Sequence, residues 1–494
     1  MGVTFDQGLT WGPHIDNLVN QCRQPAYMMR RVSKNNWGGD RATLRKMYIS
    51  LIRSKLDYAS FLYSNAAHEH LQKLDRIQYA AIRLITGNHR FTVLENLEAE
   101  AHLMPLALRR KLLALNYFGK VSRLPDHPVT LLYNDFYHYQ FYDVRPHTLP
   151  IVGRVKALAG NLNLPIASLE NIDLADLYTP IVIDVRFSLL RDKKSCPVIR
   201  FQTEYRDLVN STYLNFCKIF TDGSKTAVGC GCAFFVDSEP PVTVSKRLPS
   251  TCGIFNAELY ALLQALKFIA DSDLDNFVIF TDSYSSLLFL KNPRFDHWIK
   301  IQIYKILLAC NKTIVFEWVA GHSGIHGNGV ADSAAKGVIS SDDITNIPLA
   351  YDDYKFLVKN LIYGQWQMLW SGIRCRLRDF KPVLGDWKSA YRDNRVEEKL
   401  LSRLRTGSCY FLYQHNIDAE LDVRDKVRCT PCNVVMSIDH LLITCPALQQ
   451  DRRRILSHLS SHNLVLNESN ILSDDFNHTL LFDFLKKANF YSKI

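Results

Sequence analysis

The sequence predicts an α/β unit, a mixed five-stranded sheet covered by helices over residues 214–340, set between mainly helical flanks. Three observations carry this expectation. Apolar residues recur at helical spacing before residue 125 and again after 340. Between those points they gather into short β-branched and aromatic runs. The runs then alternate with amphipathic segments in the order three strands, helix, strand, helices, strand, helix.

In chain order, the first helical pattern starts at Arg41 and uses Leu44, Met47, Tyr48, Leu51, Ile52 and Leu56. Leu71, Leu74, Ile77, Ala81, Ile82 and Ile85 form a second, and Leu97–Lys120 a third that bends or restarts at Pro105. Residues 126–213 mix Pro, Asp and aromatics without a sustained period, and read as a connection. Leu214–Thr221, Gly229–Val236 and Val242–Lys246 then suggest an antiparallel meander. Helix Asn256–Ala270, strand Phe277–Thr281, helices Tyr284–Leu290 and Trp298–Cys310, strand Thr313–Val319 and helix Asn328–Val338 complete the unit. Beyond Ser340 the helical candidates are Tyr354–Trp370 and Val396–Leu404.

Composition narrows the class. With 494 residues, 47% hydrophobic and 22% charged, the chain should hold about three folding units and is neither disordered nor collagen-like. The net charge of +10 favours an anionic partner. Residues 1–120 hold 17 Lys/Arg against 9 Asp/Glu, so most of the excess is N-terminal. There Arg23, Arg30, Arg31, Lys34, Arg41, Arg45 and Lys46 either line a nucleic-acid backbone or form a solvated face. Twelve scattered cysteines favour a reducing compartment, with nucleus or cytoplasm as the expected location. No apolar run approaches the length a spanning helix needs, so no membrane association is expected. The start, which runs directly into an apparent strand, suggests a fragment of a longer coding region.

Four carboxylates stand where strands end and helices begin. Asp222 follows Ile219-Phe220-Thr221, and Asp282 follows Val278-Ile279-Phe280-Thr281. Glu258 lies one turn into an apolar helix, and Asp332 near the start of another. Gathering four negative groups is costly unless cations neutralise them. Carboxylate oxygens suit Mg²⁺, and two such ions can activate a water and stabilise a leaving oxygen at phosphorus. His322, in a Gly-rich segment after a strand, is a candidate proton shuttle.

Ile219-Phe220-Thr221-Asp222-Gly223-Ser224, Ala257-Glu258-Leu259, Phe280-Thr281-Asp282-Ser283 and Gly321-His322 followed by Gly327-Asn328-Gly329-Val330-Ala331-Asp332 resemble the successive motifs of type 1 ribonuclease H. The resemblance implies a ribonuclease H-like fold and endonucleolytic cutting of the RNA strand of an RNA·DNA hybrid, leaving 5′-phosphate and 3′-hydroxyl ends. It implies that Asp222, Glu258, Asp282 and Asp332 hold two Mg²⁺, with Mn²⁺ as a substitute, and that His322 is the mobile proton-transfer residue. Ser224, Asn256 and Asn328 are the expected substrate contacts. Gly329 stands where family members often carry Glu, which bears on efficiency more than on mechanism.

Leu9-Thr10-Trp11-Gly12-Pro13-His14-Ile15, Trp37-Gly38-Gly39, Ile52-Arg53-Ser54-Lys55-Leu56-Asp57-Tyr58 and Leu74-Asp75-Arg76-Ile77-Gln78 resemble the post-palm and thumb segment of non-LTR retrotransposon reverse transcriptases. That resemblance covers about residues 1–120 and lacks the palm with its metal-binding acids, so polymerase activity is not expected. Tyr351-Asp352-Asp353-Tyr354 only imitates a polymerase signature and reads as a solvated helix start. Cys429, Cys432, His440 and Cys445 have the count and spacing of a structural Zn²⁺ site. They are similar to the CCHC motif that follows ribonuclease H in such elements. Nearby Lys426, Arg428, Arg452, Arg453 and Arg454 fit a phosphate-contacting face or solvated helix ends. The expected organisation is 1–125, a connection 126–213, the nuclease unit 214–340, a helical region 341–425, the CCHC motif 426–448 and a tail 449–494. A catalytically inactive nucleic-acid-binding remnant and a helical self-assembly module are the competing functional classes. The sequence leaves the oligomeric state open.

Overall fold

The computed structural model describes residues 2–33, 38–135, 151–172, 183–189, 197–293, 296–409 and 428–494. Lys34, Trp37 and Lys426 lie outside the described residues. The chain divides into two compact units, one of Met1–Ala114, Val144–Ile151 and Asn360–Ile494, the other of Leu115–Asp143 and Val152–Lys359.

The second unit holds the sheet, whose strands are β1 (Val185–Arg186), β2 (Cys217–Lys225), β3 (Cys230–Asp237), β4 (Val242–Leu248), β5 (Asn276–Thr281) and β6 (Thr313–Trp318). Their order is β1-β6-β5-β2-β3-β4. All five expected strands are present, and β1 is a sixth that pairs Val185 in parallel with Phe316. A two-residue strand carries no readable period, which is why it was not anticipated. The helices around the sheet are α1 (Val198–Thr212), α2 (Ile254–Ala270), α3 (Tyr284–Lys291), α4 (Trp298–Ala309) and α5 (His326–Gly337).

The central strands β2 and β5 place Ile219, Phe220, Val278, Ile279 and Phe280 in the core, as expected of parallel neighbours covered on both faces. Their pairing stops at Thr221 with Thr281, but β2 continues to Lys225 because antiparallel β3 still faces it. Asp222 therefore sits inside β2 rather than at its end, at the point where the parallel neighbour falls away. Similarly, α5 begins at His326, so Asp332 lies nearly two turns in rather than at the helix start.

Described parts of the connection, among them Ile183, Val185, Leu189, Phe201 and Tyr213, join this unit's core. Helix α1 was not anticipated, yet Phe201 is buried in the sheet's core and Tyr205 meets Phe280 edge-on at 5.3 Å. Glu317 on β6 is buried and accepts from the Ser188 N–H at 2.7 Å, the Ser188 hydroxyl at 2.9 Å and the Tyr213 hydroxyl at 2.9 Å. Glu170 is also buried. It accepts from Arg123 at 2.7 Å and from the backbone N–H groups of Trp298 and Tyr351, each at 3.0 Å. Those two N–H groups open helices α4 and Tyr351–Gly372, where no intrahelical acceptor exists.

In the first unit the pattern from Arg41 becomes helix Arg41–Met47, a π-helical turn Tyr48–Arg53 and Ser54–Asp57. The second is helix His68–Thr86; the third splits at Pro105 into Leu94–Ala101 and Leu106–Ser122. The C-terminal candidates lengthen to Tyr351–Gly372 and Arg395–Thr406. Helix Gly12–Val32 was missed, since Pro25 and its polar residues obscure buried Ile15, Leu18, Cys22 and Met29. Arg41 is not a surface cation: it is fully buried against Glu100 at 3.1 Å, and its N–H donates to Glu398 at 2.9 Å. Arg45 is half-buried and donates to the His102 carbonyl, whereas Arg23, Arg30, Arg31 and Lys46 are exposed.

Candidate active site

Asp222 from β2, Asp282 just beyond β5 and Glu258 from α2 each present a carboxylate oxygen, all within 4.8 Å of one another. Close backbone approach makes this convergence geometric. A Cβ on Gly223 would stand 2.7 Å from the Glu258 nitrogen, so only glycine lets β2 and α2 come so near. A Cβ on Gly321 would stand 2.2 Å from Asp282 Oδ2, so the segment after β6 presses directly on that carboxylate. On the other side, a Cβ on Gly327 would strike the Phe220 ring at 2.2 Å, which seats the first turn of α5 on β2. Trp318 Nε1 donates to the Asp282 carbonyl at 3.1 Å and fixes the backbone there.

Asp332 lies outside the 4.8 Å group but near enough for its charge to act on Asp222, and it is paired with Lys336 Nζ at 2.7 Å. Lys336, one turn further along α5, was not singled out in the sequence, although an i,i+4 cation is a readable signal. Burial, then the charges of Asp282 and Asp332, push the Asp222 carboxyl up to about 8. Burial, then Asp222 and Asp282, hold Glu258 well above the usual carboxylate range, against a bond from Gly223 that favours its charged form. Asp222 Oδ2 and Glu258 Oε2 are buried with no hydrogen-bond partner among the described residues. An all-oxygen donor set with crowded charge and unpartnered buried oxygens fits a hard divalent cation.

His322 is exposed and has a left-handed backbone, φ 54°. Ser224 is buried on β2 two residues beyond Asp222, on the same face of the strand. Asn328 is buried in α5, its Oδ1 without a partner among the described residues. Asn256 is buried too, but its side chain meets His297 Nε2 at 2.9 Å and hydrogen-bonds Asp353, so its amide faces protein. Asp353 corrects the reading of residues 351–354 as a solvated helix start. Asp352 is exposed, whereas Asp353 is half-buried and accepts the Gly253 N–H at 2.9 Å at the entry to α2. A contact spanning a hundred residues leaves no local sequence signal.

In the first unit, Cys429, Cys432, His440 and Cys445 bring their ligand atoms within 4.8 Å of one another. Cys445 Sγ lies 3.8 Å from Cys429 Sγ and 3.7 Å from Cys432 Sγ. A tetrahedron with ~2.3 Å metal–sulfur bonds has edges of about 3.8 Å. The turn that sets the first two ligands closes with Asn433 N donating to the Cys429 carbonyl at 2.7 Å and Asn433 at φ 54°. His440 Nε2 is buried without a partner among the described residues. Arg452 is buried and donates to the Leu441 and Cys445 carbonyls, so it braces this knuckle and is not available to phosphate. Arg428, Arg453 and Arg454 are exposed.

Residues 215–340 match the family described as RNase H, and the mixed sheet with its helical cover has an RNase H-like fold. The chain is 40% identical over 126 residues to the Pol polyproteins of equine infectious anemia virus, among them those of strain Wyoming and isolate 1369. The alignment covers 24% of this chain and 10% of each viral polyprotein, so the chain spans about a tenth of the length of the curated relatives it matches.

Proposed function

We propose that this protein hydrolyses the RNA strand of RNA·DNA hybrids endonucleolytically, as the ribonuclease H part of a non-LTR retrotransposon polyprotein. The observation that carries the proposal is the meeting of Asp222, Glu258 and Asp282 within 4.8 Å, with Asp332 alongside. In this reading the four carboxylates hold two Mg²⁺, with Mn²⁺ as a substitute. When bound, the ions would supply an activated water and charge stabilisation on the leaving oxygen.

The chain's own residues do the rest. Burial of Asp222 and Glu258 keeps water from competing for their oxygens, and the backbone pressing in at Gly321 fixes where the Asp282 carboxylate can stand. Lys336 pairs with Asp332 at 2.7 Å and offsets part of the negative charge of the cluster, a role that bound divalent ions would take over. His322, exposed beside this cluster's Gly321 segment, can accept and release a proton at its imidazole. Ser224 and Asn328 are the nearest candidates to position the hybrid, whose shallow groove and 2′-hydroxyls would be recognised by shape rather than by base sequence. Cys429, Cys432, His440 and Cys445 would hold one structural Zn²⁺. Exposed Arg23, Arg30, Arg31, Lys46, Arg428, Arg453 and Arg454 would contact element RNA or DNA.

The test is cleavage of a labelled RNA·DNA hybrid in Mg²⁺, in EDTA and by Asp282→Asn. The parent should cut in Mg²⁺ alone and the variant should not. Undiminished cutting by Asp282→Asn would overturn the assignment, and salt-sensitive hybrid binding without any turnover would favour an inactive remnant.

A further inference from the structure

The segment Gly321-His322-Ser323-Gly324 is gripped at both ends. At Gly321 the backbone lies against Asp282, where a Cβ would come within 2.2 Å of Oδ2. At Gly324, φ 73°, the carbonyl accepts a hydrogen bond from Gln202 Nε2 at 3.2 Å. A Cβ there would strike the same Gln202 nitrogen at 2.1 Å and meet Val198 at 3.8 Å. Between these two points Ser323 Oγ donates to the Ala320 carbonyl, and His322 takes its left-handed backbone with the ring exposed.

Gln202 and Val198 belong to α1, which precedes the matched stretch 215–340. The helix is anchored independently of the loop. Phe201 is buried, Tyr205 packs edge-on to Phe280, and the C-terminal Tyr213 is buried with its hydroxyl on Glu317 at 2.9 Å. Phe280 stands two residues before Asp282, so one helix touches both the strand that delivers an acid and the segment that delivers the histidine.

We propose that Gln202 is a positioning residue: through its amide on the Gly324 carbonyl, α1 sets the backbone of the His322 segment relative to the acid cluster. The proposal rests on the nuclease reading for its kinetic consequence but not for its structural one. Without the bond, the segment keeps its grip at Gly321 and loses it at Gly324. The histidine then samples more positions, and the step it assists slows while hybrid affinity is unchanged.

The experiment uses the full chain with Gln202→Ala, the isosteric Gln202→Glu, which cannot donate to a carbonyl when ionised, and Thr203→Ala as an outward-facing control. Hydrogen exchange over residues 319–326 should accelerate about two- to tenfold in both Gln202 variants and not in the control, the loss expected of one neutral hydrogen bond. Hybrid cleavage should show kcat lower by a similar factor with KM unchanged, and no further loss when Gln202→Ala is combined with His322→Ala. Unchanged exchange in the loop overturns the proposal whether or not the parent cleaves hybrid. Additive losses in the double variant also overturn it, since Gln202 would then act other than through His322. Accelerated exchange with an inactive parent keeps the positioning role and defeats the nuclease reading instead.

Discussion

Replacing Asp222 with Asn should stabilise the protein in the absence of divalent metal, although it removes a residue the site needs. The Asp222 carboxyl rises from its ordinary 3.8 to about 8 because it is buried beside Asp282 and Asp332. Between those two values the folded protein holds a proton that the unfolded chain has released. Stability contributed by this group is therefore full below about pH 3.8, declines as pH rises toward 8 and is flat above. At about 1.4 kcal/mol per pH unit, the loss reaches roughly 4 kcal/mol by pH 7, an upper bound that Asn would relieve. Native-state hydrogen exchange of the β2 and β5 amides reports the unfolding of this unit separately from the other. In EDTA, parent protection should fall between pH 5 and 7.5, and Asp222→Asn should exceed the parent at pH 7.5. Saturating Mg²⁺ should narrow that difference, since binding at a hundredfold excess over Kd adds about 2.7 kcal/mol to the parent alone. Lower protection of the variant in EDTA at pH 7.5 would refute this electrostatic account.

Other perturbations have defined outcomes. Gly321→Ala should displace the Asp282 carboxylate and lower hybrid cleavage at least about tenfold, with exchange protection of β5 retained. Asp353→Ala removes the acceptor at the entry to α2 and should cost about 1–2 kcal/mol by hydrogen exchange of that helix. Cys432→Ser should abolish bound zinc as measured by elemental analysis, whereas Cys375→Ser should leave it unchanged. Arg41→Ala leaves Glu100 buried without its cation and should destabilise the first unit by about 3–5 kcal/mol, seen in the exchange of helix His68–Thr86.

Much of the nuclease unit was legible because its strands are short apolar runs punctuated by turns and its acids follow those runs. Glu258 could be placed one turn into α2 because Leu259, Leu262, Leu263, Leu266 and Ile269 recur at helical spacing, but its meeting with the two strand acids rested on the family resemblance. The strand exit assumed for Asp222 failed because a sequence does not show that an antiparallel neighbour outlasts a parallel one. Helix α1 was in principle readable from Val198, Phe201, Tyr205, Leu208 and Val209, yet its neighbours lack any period, and the Gln202 contact spans 122 residues. Arg41 and Arg452 read as surface cations by composition, and only packing reveals that each is committed to interior acceptors. The same holds for Glu170 and Glu317, whose partners come from distant segments.

The most direct test of the central claim is the chemistry of the cut ends. Mapping the products of a hybrid labelled on either strand should show RNA fragments with 5′-phosphate and 3′-hydroxyl termini, formed only with Mg²⁺ or Mn²⁺ and only when Asp222, Glu258, Asp282 and Asp332 are intact. Cyclic 2′,3′-phosphate ends, cutting of the DNA strand, or products that persist in EDTA would contradict it.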